Sequence, residues 1–215
     1  GNLFKSIPKA LKYARNVREV VLDENPIEDL SEKNAFPPMP NLERLNLTFI
    51  GSLRAIRKGA FAGLEKLNEL RLSHNHHLSY IDPSAFTFTE KDNSDILLWP
   101  PIKKLYLNNN NLTTLEERTF IKWEDMEEVH IHDNPWLCDC DLQWIVSTLM
   151  PIIEKTTPHL INNVRCARPD AHAEKSLEEL SKEDHKMGCL NKAHTERDSA
   201  LLVALFIGLV LAMPL

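Results

Sequence analysis

Residues 102–115 constrain the fold more than any other stretch of this chain. Their sequence is IKKLYLNNNNLTTL, in which the apolar residues and one asparagine follow the spacing L-x-x-L-x-L-x-x-N-x-L. In a short strand, Leu105 and Leu107 point to one face and Tyr106 points to the other. Asn110 can donate and accept hydrogen bonds, so it can satisfy backbone groups that a sharp turn buries. One such unit cannot bury its own leucines and must stack on copies of itself.

Four other units of the chain repeat this spacing. The five units begin at Val17, Leu42, Leu67, Ile102 and Met126, at steps of 25, 25, 35 and 24 residues. The first four units also carry a phenylalanine on the return arm: Phe36, Phe61, Phe86 and Phe120. Two periodicities that stay in phase along the chain indicate a solenoid in which each unit packs on its neighbours.

The units resemble leucine-rich repeats, whose signature is this spacing. The resemblance implies an α/β solenoid, a leucine-rich repeat horseshoe whose short strands form one parallel sheet on the concave side. We assign the repeats to residues 15–134. Residues 1–14 are interpreted as the remnant of an N-terminal cap or of a preceding repeat, so we expect this chain to be a fragment without its leader.

Two of the units depart from the pattern. In the second unit Ile50 takes the asparagine position, so that turn must satisfy its backbone groups in another way. The third unit is longer, with a largely polar insertion at about residues 87–96. Insertions in repeat arrays map to loops, so we expect a solvated loop there.

Alternation along the strands predicts which side chains face solvent on the concave side. These side chains mix both charge signs, a pattern that favours recognition of a protein over a deep small-molecule pocket. The predicted partner-binding residues are Arg44, Asn46, Glu69, Arg71, Lys104, Tyr106, Asn108, His130 and His132. Tyr106, Arg44 and Arg71 are the expected anchors, because a few residues of these types carry most of the energy in an interface.

The polar residues form no recognisable catalytic or metal-binding motif. His130 and His132 share one strand face, but the spacing does not bring together the three or four ligands that zinc requires. No nucleophile elbow, phosphate loop or H-E-x-x-H motif occurs. We expect no metal, no cofactor and no enzymatic activity. A secreted hydrolase that uses these histidines with Glu128 or Asp133 is the remote alternative.

The net charge and two N-glycosylation sequons limit the kinds of partner that we expect. The net charge of −6 argues against nucleic acid, whose binding requires a basic face. N-glycosylation sequons occur at Asn46 and Asn111. Because Asn46 lies on the predicted concave face, a glycan there would restrict what docks on that part of the sheet.

Two short helices are predicted after the last repeat. Apolar residues recur at helical spacing at Leu142, Ile145, Val146 and Leu149. This spacing predicts an amphipathic helix that covers the exposed end of the solenoid. Ser176 and Glu179 form a capping-box signature, which predicts the start of a second helix near residues 177–180.

All the cysteines of the chain also follow the last repeat. They are Cys138, Cys140, Cys166 and Cys189, and four cysteines allow three disulfide pairings. Residues 135–190, which follow Asn134 and open with Pro-Trp and a C-x-C pair, resemble the cysteine-rich C-terminal cap of extracellular leucine-rich repeat proteins. The resemblance implies the pairs Cys138–Cys166 and Cys140–Cys189. Disulfides also indicate an oxidising compartment.

The end of the chain predicts attachment to a membrane. A polar spacer at residues 191–198 precedes a hydrophobic segment at residues 199–215 that carries no charge. This order is typical of a glycolipid-anchor signal, with Asn191 as the candidate attachment residue. A single-pass transmembrane helix is the alternative.

The combined architecture resembles the chaoptin- and connectin-like cell-surface adhesion proteins of arthropods. The resemblance implies a cell-surface protein that binds protein partners on another cell or in the extracellular matrix, with homophilic contact among the options. Toll-like receptors share the same modules. The alternative function is therefore an innate-immune pattern-recognition receptor or co-receptor.

Overall fold

The repeats build one five-stranded parallel sheet in which chain order and spatial order agree. The computed structural model describes residues 1–90, 92–182 and 187. The strands of the sheet are Glu19–Val21, Arg44–Asn46, Glu69–Arg71, Lys104–Tyr106 and Glu128–His130. Equivalent residues of successive repeats lie opposite each other, as Leu45 and Leu70 do. The predicted leucine-rich repeat horseshoe is therefore confirmed.

Other elements of the described residues are short. Two-residue strands pair in parallel at Ala55–Ile56 with Tyr80–Ile81, and Trp136–Leu137 pairs in parallel with Cys166–Arg168. The 3-10 helices are Lys9–Tyr13, Glu32–Asn34, Glu117–Thr119, Trp123–Asp125, Cys140–Leu142 and Pro158–Asn163. A π-helix at Ile145–Leu149 runs into the α-helix Met150–Thr156, and a second α-helix is Leu177–Ser181.

Where a repeat carries the asparagine, its side chain satisfies backbone groups of its own turn and of a neighbouring segment. Asn75 shows how the second repeat manages with Ile50. The side-chain oxygen of Asn75 accepts from the Ile50 N–H at 2.7 Å. Its side-chain amide donates to the carbonyls of Leu47 and Leu72, both at 2.8 Å. The missing asparagine of the second turn is therefore replaced by the one in the next repeat.

Aromatic side chains form a continuous stack through the core. The ring centroids of Phe36 and Phe61 are 5.7 Å apart, those of Phe61 and Phe86 are 4.8 Å apart, and those of Phe86 and Phe120 are 4.7 Å apart. Phe120 then contacts Trp123, which contacts Trp144 of the C-terminal region. The stack links the repeats to the segment that covers their end.

The insertion in the third repeat is a hairpin and not only a polar loop. Phe88–Thr89 pairs with Leu97–Leu98 in antiparallel fashion, and the Glu90 N–H donates to the Ile96 carbonyl. Residues 92–98 are exposed, as expected of a solvated loop, but the ends of the insertion pair as a short hairpin that the sequence did not predict. Residues 96–98 are apolar and exposed, with Leu97 52% exposed. Lys91 lies outside the described residues.

The C-terminal region packs over the last repeat as the sequence predicts. All four apolar residues of the predicted amphipathic helix are buried. Ser176 and Glu179 form the predicted capping box. Cys138 and Cys166 form the predicted disulfide. Cys140 is also disulfide-bonded, but its predicted partner Cys189 lies outside the described residues.

The predicted membrane attachment cannot be located on this fold, because residues 191–215 and Asn191 lie outside the described residues. Among the residues that are described, none of the helices has the length and apolar character to cross a membrane.

Candidate functional site

The concave face of the sheet carries rows of side chains that cross the strands in register. The row nearest the start of the strands is charged. Arg44 donates to Glu19 at 3.0 Å, and Lys104 lies 3.8 Å from Glu128. Glu69 instead pairs within its own strand, with Arg71 at 2.6 Å. Most charges of this row are therefore already neutralised by a neighbour.

The middle of the face holds a packed cluster around Tyr106. The Arg71 guanidinium lies 4.1 Å from the centroid of the Tyr106 ring, and the His130 ring lies 4.8 Å away on the other side. Tyr106 is consequently only 7% exposed, although it lies outside the hydrophobic core. The expectation that Tyr106 faces solvent is wrong, because neighbouring repeats cover its ring.

The electrostatics of this cluster follow from its burial. Burial raises the pKa of Tyr106 well above its ordinary value, and a hydrogen bond to Glu128 adds to the effect. Burial also acts to raise the pKa of Glu128, but hydrogen bonds from Tyr106 and His130 outweigh it and lower that pKa. Burial lowers the pKa of His130, against the effect of Glu128 at 3.0 Å. The cluster therefore favours a neutral tyrosine and an ionised glutamate.

In the next row across the sheet, most polar side chains bond to other groups of the protein. Ser73 donates to the side-chain oxygen of Asn108 at 2.9 Å, and both residues are buried. The expectation that Asn108 faces solvent is therefore wrong, because these amide and hydroxyl groups bond to each other. His132 lies 2.7 Å from the carboxylate of Asp133. At the other end of the row, Asp23 accepts from the Thr48 N–H at 2.8 Å.

Phe49 is a surface residue that the sequence pattern did not single out. It occupies the position where each repeat leaves its strand, and all five residues at this position have a positive φ: Glu24, Phe49, His74, Asn109 and Asp133. Phe49 is the apolar member of this set and is 54% exposed. Its ring stacks on His74, with centroids 4.6 Å apart. The signal was present in the sequence, as an aromatic at a position that is polar in the other repeats.

These elements enclose an open groove of about 600 Å³ on the concave face. Five of the predicted partner-binding residues line it, namely Asn46, Arg71, Tyr106, Asn108 and His130. Phe49, His74 and Asp23 line it as well. Arg44, Glu69, Lys104 and His132 lie outside the groove lining on the same sheet or at its end. The structure therefore gathers about half of the predicted residues into one depression.

The sequons differ in accessibility. Asn111 is exposed, whereas Asn46 is half-buried in the groove. Glycosylation at either residue stays a prediction. Within the described part of the chain, no three histidine, cysteine or acidic side chains come together in a way that could hold a metal ion.

A protein-family model agrees with this fold, and known proteins share similarity with this chain. Residues 15–76 and 40–90 match the family model of the leucine rich repeat. The chain is similar to immunoglobulin superfamily member 10 of Mus musculus, with 43% identity over 44 residues that make up 20% of this chain and 2% of that protein. It is also similar to the crystal structure of human 5T4 (Wnt-activated inhibitory factor 1, trophoblast glycoprotein) at a TM-score of 0.36 and 21% identity, over 82% of this chain and 89% of that one.

The mouse protein is matched over only 2% of its length, so the match speaks for one stretch of repeats and not for a shared activity. What the family match and the strands together establish is a leucine-rich repeat fold, a scaffold whose usual role is to bind other proteins.

Proposed function

We propose that this chain is a cell-surface recognition protein that presents its concave sheet to a protein partner. Supporting the proposal most directly is the continuous five-stranded face, whose side chains are held in place by contacts between repeats. A pre-formed surface binds with less loss of conformational entropy than a flexible one. The charged row at the start of the strands, which includes Arg44 and Lys104, adds complementarity, which selects partners more than it adds affinity.

Not all of the anchors expected from the sequence are exposed on the proposed partner surface. Because Tyr106 is covered, it supports the groove floor by packing under Arg71 and does not itself protrude. Arg44 and Lys104 have side chains 45% and 39% exposed and remain candidate contacts. His130 and His132 are less exposed and contribute to the groove and its end.

The proposed location is the extracellular face of the plasma membrane. The Cys138–Cys166 disulfide supports an oxidising compartment, where such bonds persist. Attachment through residues 199–215, either by a glycolipid on Asn191 or by a single-pass helix, belongs to the same proposal. So does the adhesion role of chaoptin- and connectin-like proteins, including contact between two copies of the chain.

Cell mixing tests this function. The chain is expressed with a secretion signal fused to its N-terminus on non-adhesive cells, which are mixed with differently labelled non-expressing cells. Clusters of expressing cells alone indicate homophilic adhesion, and mixed clusters indicate a partner on the other cells. If neither kind forms while the protein is at the surface, adhesion is contradicted, and binding to purified microbial glycolipids then tests the immune-receptor alternative.

A further inference from the structure

The open face of Phe49 is the most unusual feature of the groove. A bulky residue with φ of 56° is strained, because left-handed backbone favours glycine, asparagine or aspartate. The same left-handed conformation recurs at this position in all five repeats, so the repeat geometry sets it. At Phe49 this geometry holds a large apolar ring in solvent, where it gains little from burial.

The direction of that open face follows from the order of the repeats. His74, which belongs to the third repeat, stacks on Phe49 with an interplanar angle of 1°. The other face of the ring is therefore turned toward the first repeat. That repeat supplies Asp23, which is tied to the residue before Phe49 through the 2.8 Å bond from the Thr48 N–H. An aromatic face and a carboxylate thus border the same end of the groove.

Asp23 differs from the other charged groups of the groove. Arg71 is paired with Glu69 at 2.6 Å, and Glu128 is paired with His130 at 3.0 Å. Among the described residues, no basic side chain pairs with Asp23 within 4 Å. The end of the groove at Phe49 therefore carries an uncompensated negative charge beside an aromatic face.

We propose that this end of the groove binds an arginine side chain from a loop of the partner protein. The guanidinium stacks on the open face of Phe49 and donates hydrogen bonds to the Asp23 carboxylate. A planar cation fits both contacts at once, whereas the ammonium of lysine cannot stack in the same way. This inference rests on the proposed function, since it names the group that the concave surface recognises.

Titration of the full chain with short peptides tests the site without knowing the partner. The probes are acetyl-Gly-Arg-Gly-amide, its citrulline analogue and its lysine analogue, added to protein made without glycans so that Asn46 leaves the groove open. Backbone amide NMR signals of residues 23, 49 and 74 should shift with the arginine peptide at millimolar concentration. The neutral citrulline peptide should bind at least about fivefold more weakly, since it lacks the charge.

Variants of both contacts complete the test. Phe49→Asn removes the ring, and it should fold well because Asn109 occupies the equivalent left-handed position. Asp23→Asn removes the charge while it keeps an acceptor for Thr48. Each should weaken binding of the arginine peptide about fivefold or more. The control Asn109→Gly, at the same position two repeats away, should leave binding unchanged.

Three results would overturn the site: no shift with any peptide, equal shifts with the citrulline or lysine peptide, or unchanged binding in the Phe49→Asn variant. These outcomes are separable from failure of the proposed function. Peptide binding without cell clustering would refute adhesion and leave the arginine site standing. Clustering without peptide binding would refute the site alone.

Discussion

At the scale of single residues, Asn75 is the side chain on which two neighbouring turns depend. It is fully buried and bonds to backbone groups of both the second and the third repeat. Asn75→Ala would leave the Ile50 N–H and two carbonyls without these partners. We expect the free energy of unfolding to fall by about 2–4 kcal/mol, because each buried polar group left unpaired costs about 1–3 kcal/mol.

Urea denaturation followed by circular dichroism measures this loss. The matched control is Asn111→Ala, an exposed asparagine whose loss should change stability by less than about 0.5 kcal/mol. Equal stability of the two variants would show that the buried side chain of Asn75 does not support the turns.

His130 gives the concave cluster a dependence on pH. Burial lowers the pKa of His130 in the folded chain, so the unfolded chain binds this proton more tightly. Its contribution to stability is therefore present at neutral pH and is lost as the pH falls below about 6.5, the ordinary histidine value. Glu128, His132 and His159 are the neighbouring titratable groups that act on its pKa, and the ring of Tyr106 packs against it.

In the His130→Gln variant, we expect the free energy of unfolding to fall less between neutral pH and about pH 5 than it does in the original chain. Thermal unfolding at several pH values measures both slopes. Because the remaining histidines are unchanged, identical slopes would mean that His130 is not the group responsible.

At the scale of structural elements, the phenylalanine stack joins one repeat to the next. Phe61 is buried between Phe36 and Phe86. Phe61→Ala should destabilise the chain by about 3–5 kcal/mol, because it opens a cavity in the middle of the stack. The partly exposed Phe4 offers a comparison, since Phe4→Ala should cost well under about 1 kcal/mol. Guanidinium denaturation measures the stability lost in both variants. Similar losses would show that the stack does not contribute to stability.

The elements also show what the sequence could and could not predict. Strand positions, their register and the buried leucines follow from a period that stays in phase, so residues such as Leu105 were placed correctly. The exposure of Tyr106 was not, because its ring is covered by Arg71, a residue 35 positions earlier in the chain. Whether Arg71 covers Tyr106 depends on side-chain conformations in two repeats. The alternation of residues along one strand carries no information about these conformations.

The hairpin and the groove failed to be predicted for a related reason. The insertion reads as polar over residues 87–95, but its pairing involves Leu97–Leu98, which lie beyond that stretch. The importance of Phe49 depends on its backbone conformation and on stacking with His74, neither of which a single repeat displays. Local pattern therefore predicts the scaffold, whereas the site arises from contacts between repeats.

At the scale of the whole molecule, the C-terminal region closes the end of the core. The Cys138–Cys166 disulfide links residues that are 28 apart in sequence. Replacing both by alanine should lower stability by about 3–4 kcal/mol, mainly because the unfolded chain gains freedom. Hydrogen exchange should then be faster in the helix Met150–Thr156 than in the strand Glu69–Arg71. Unchanged exchange in the helix would contradict the view that this disulfide holds the end of the solenoid closed.

The concave face is the central claim, and charge reversal on it is the most direct measurement. The variant Arg44→Glu with Lys104→Glu is compared with Arg57→Glu, called the outer variant, in the mixed-cell clustering assay at equal surface amounts. Arg57 follows the short strand Ala55–Ile56, which lies outside the concave sheet. We predict that the concave variant loses at least about ten-fold in clusters, while the outer variant clusters like the original chain. Clustering that survives reversal of the concave charges but is lost in the outer variant would contradict the account.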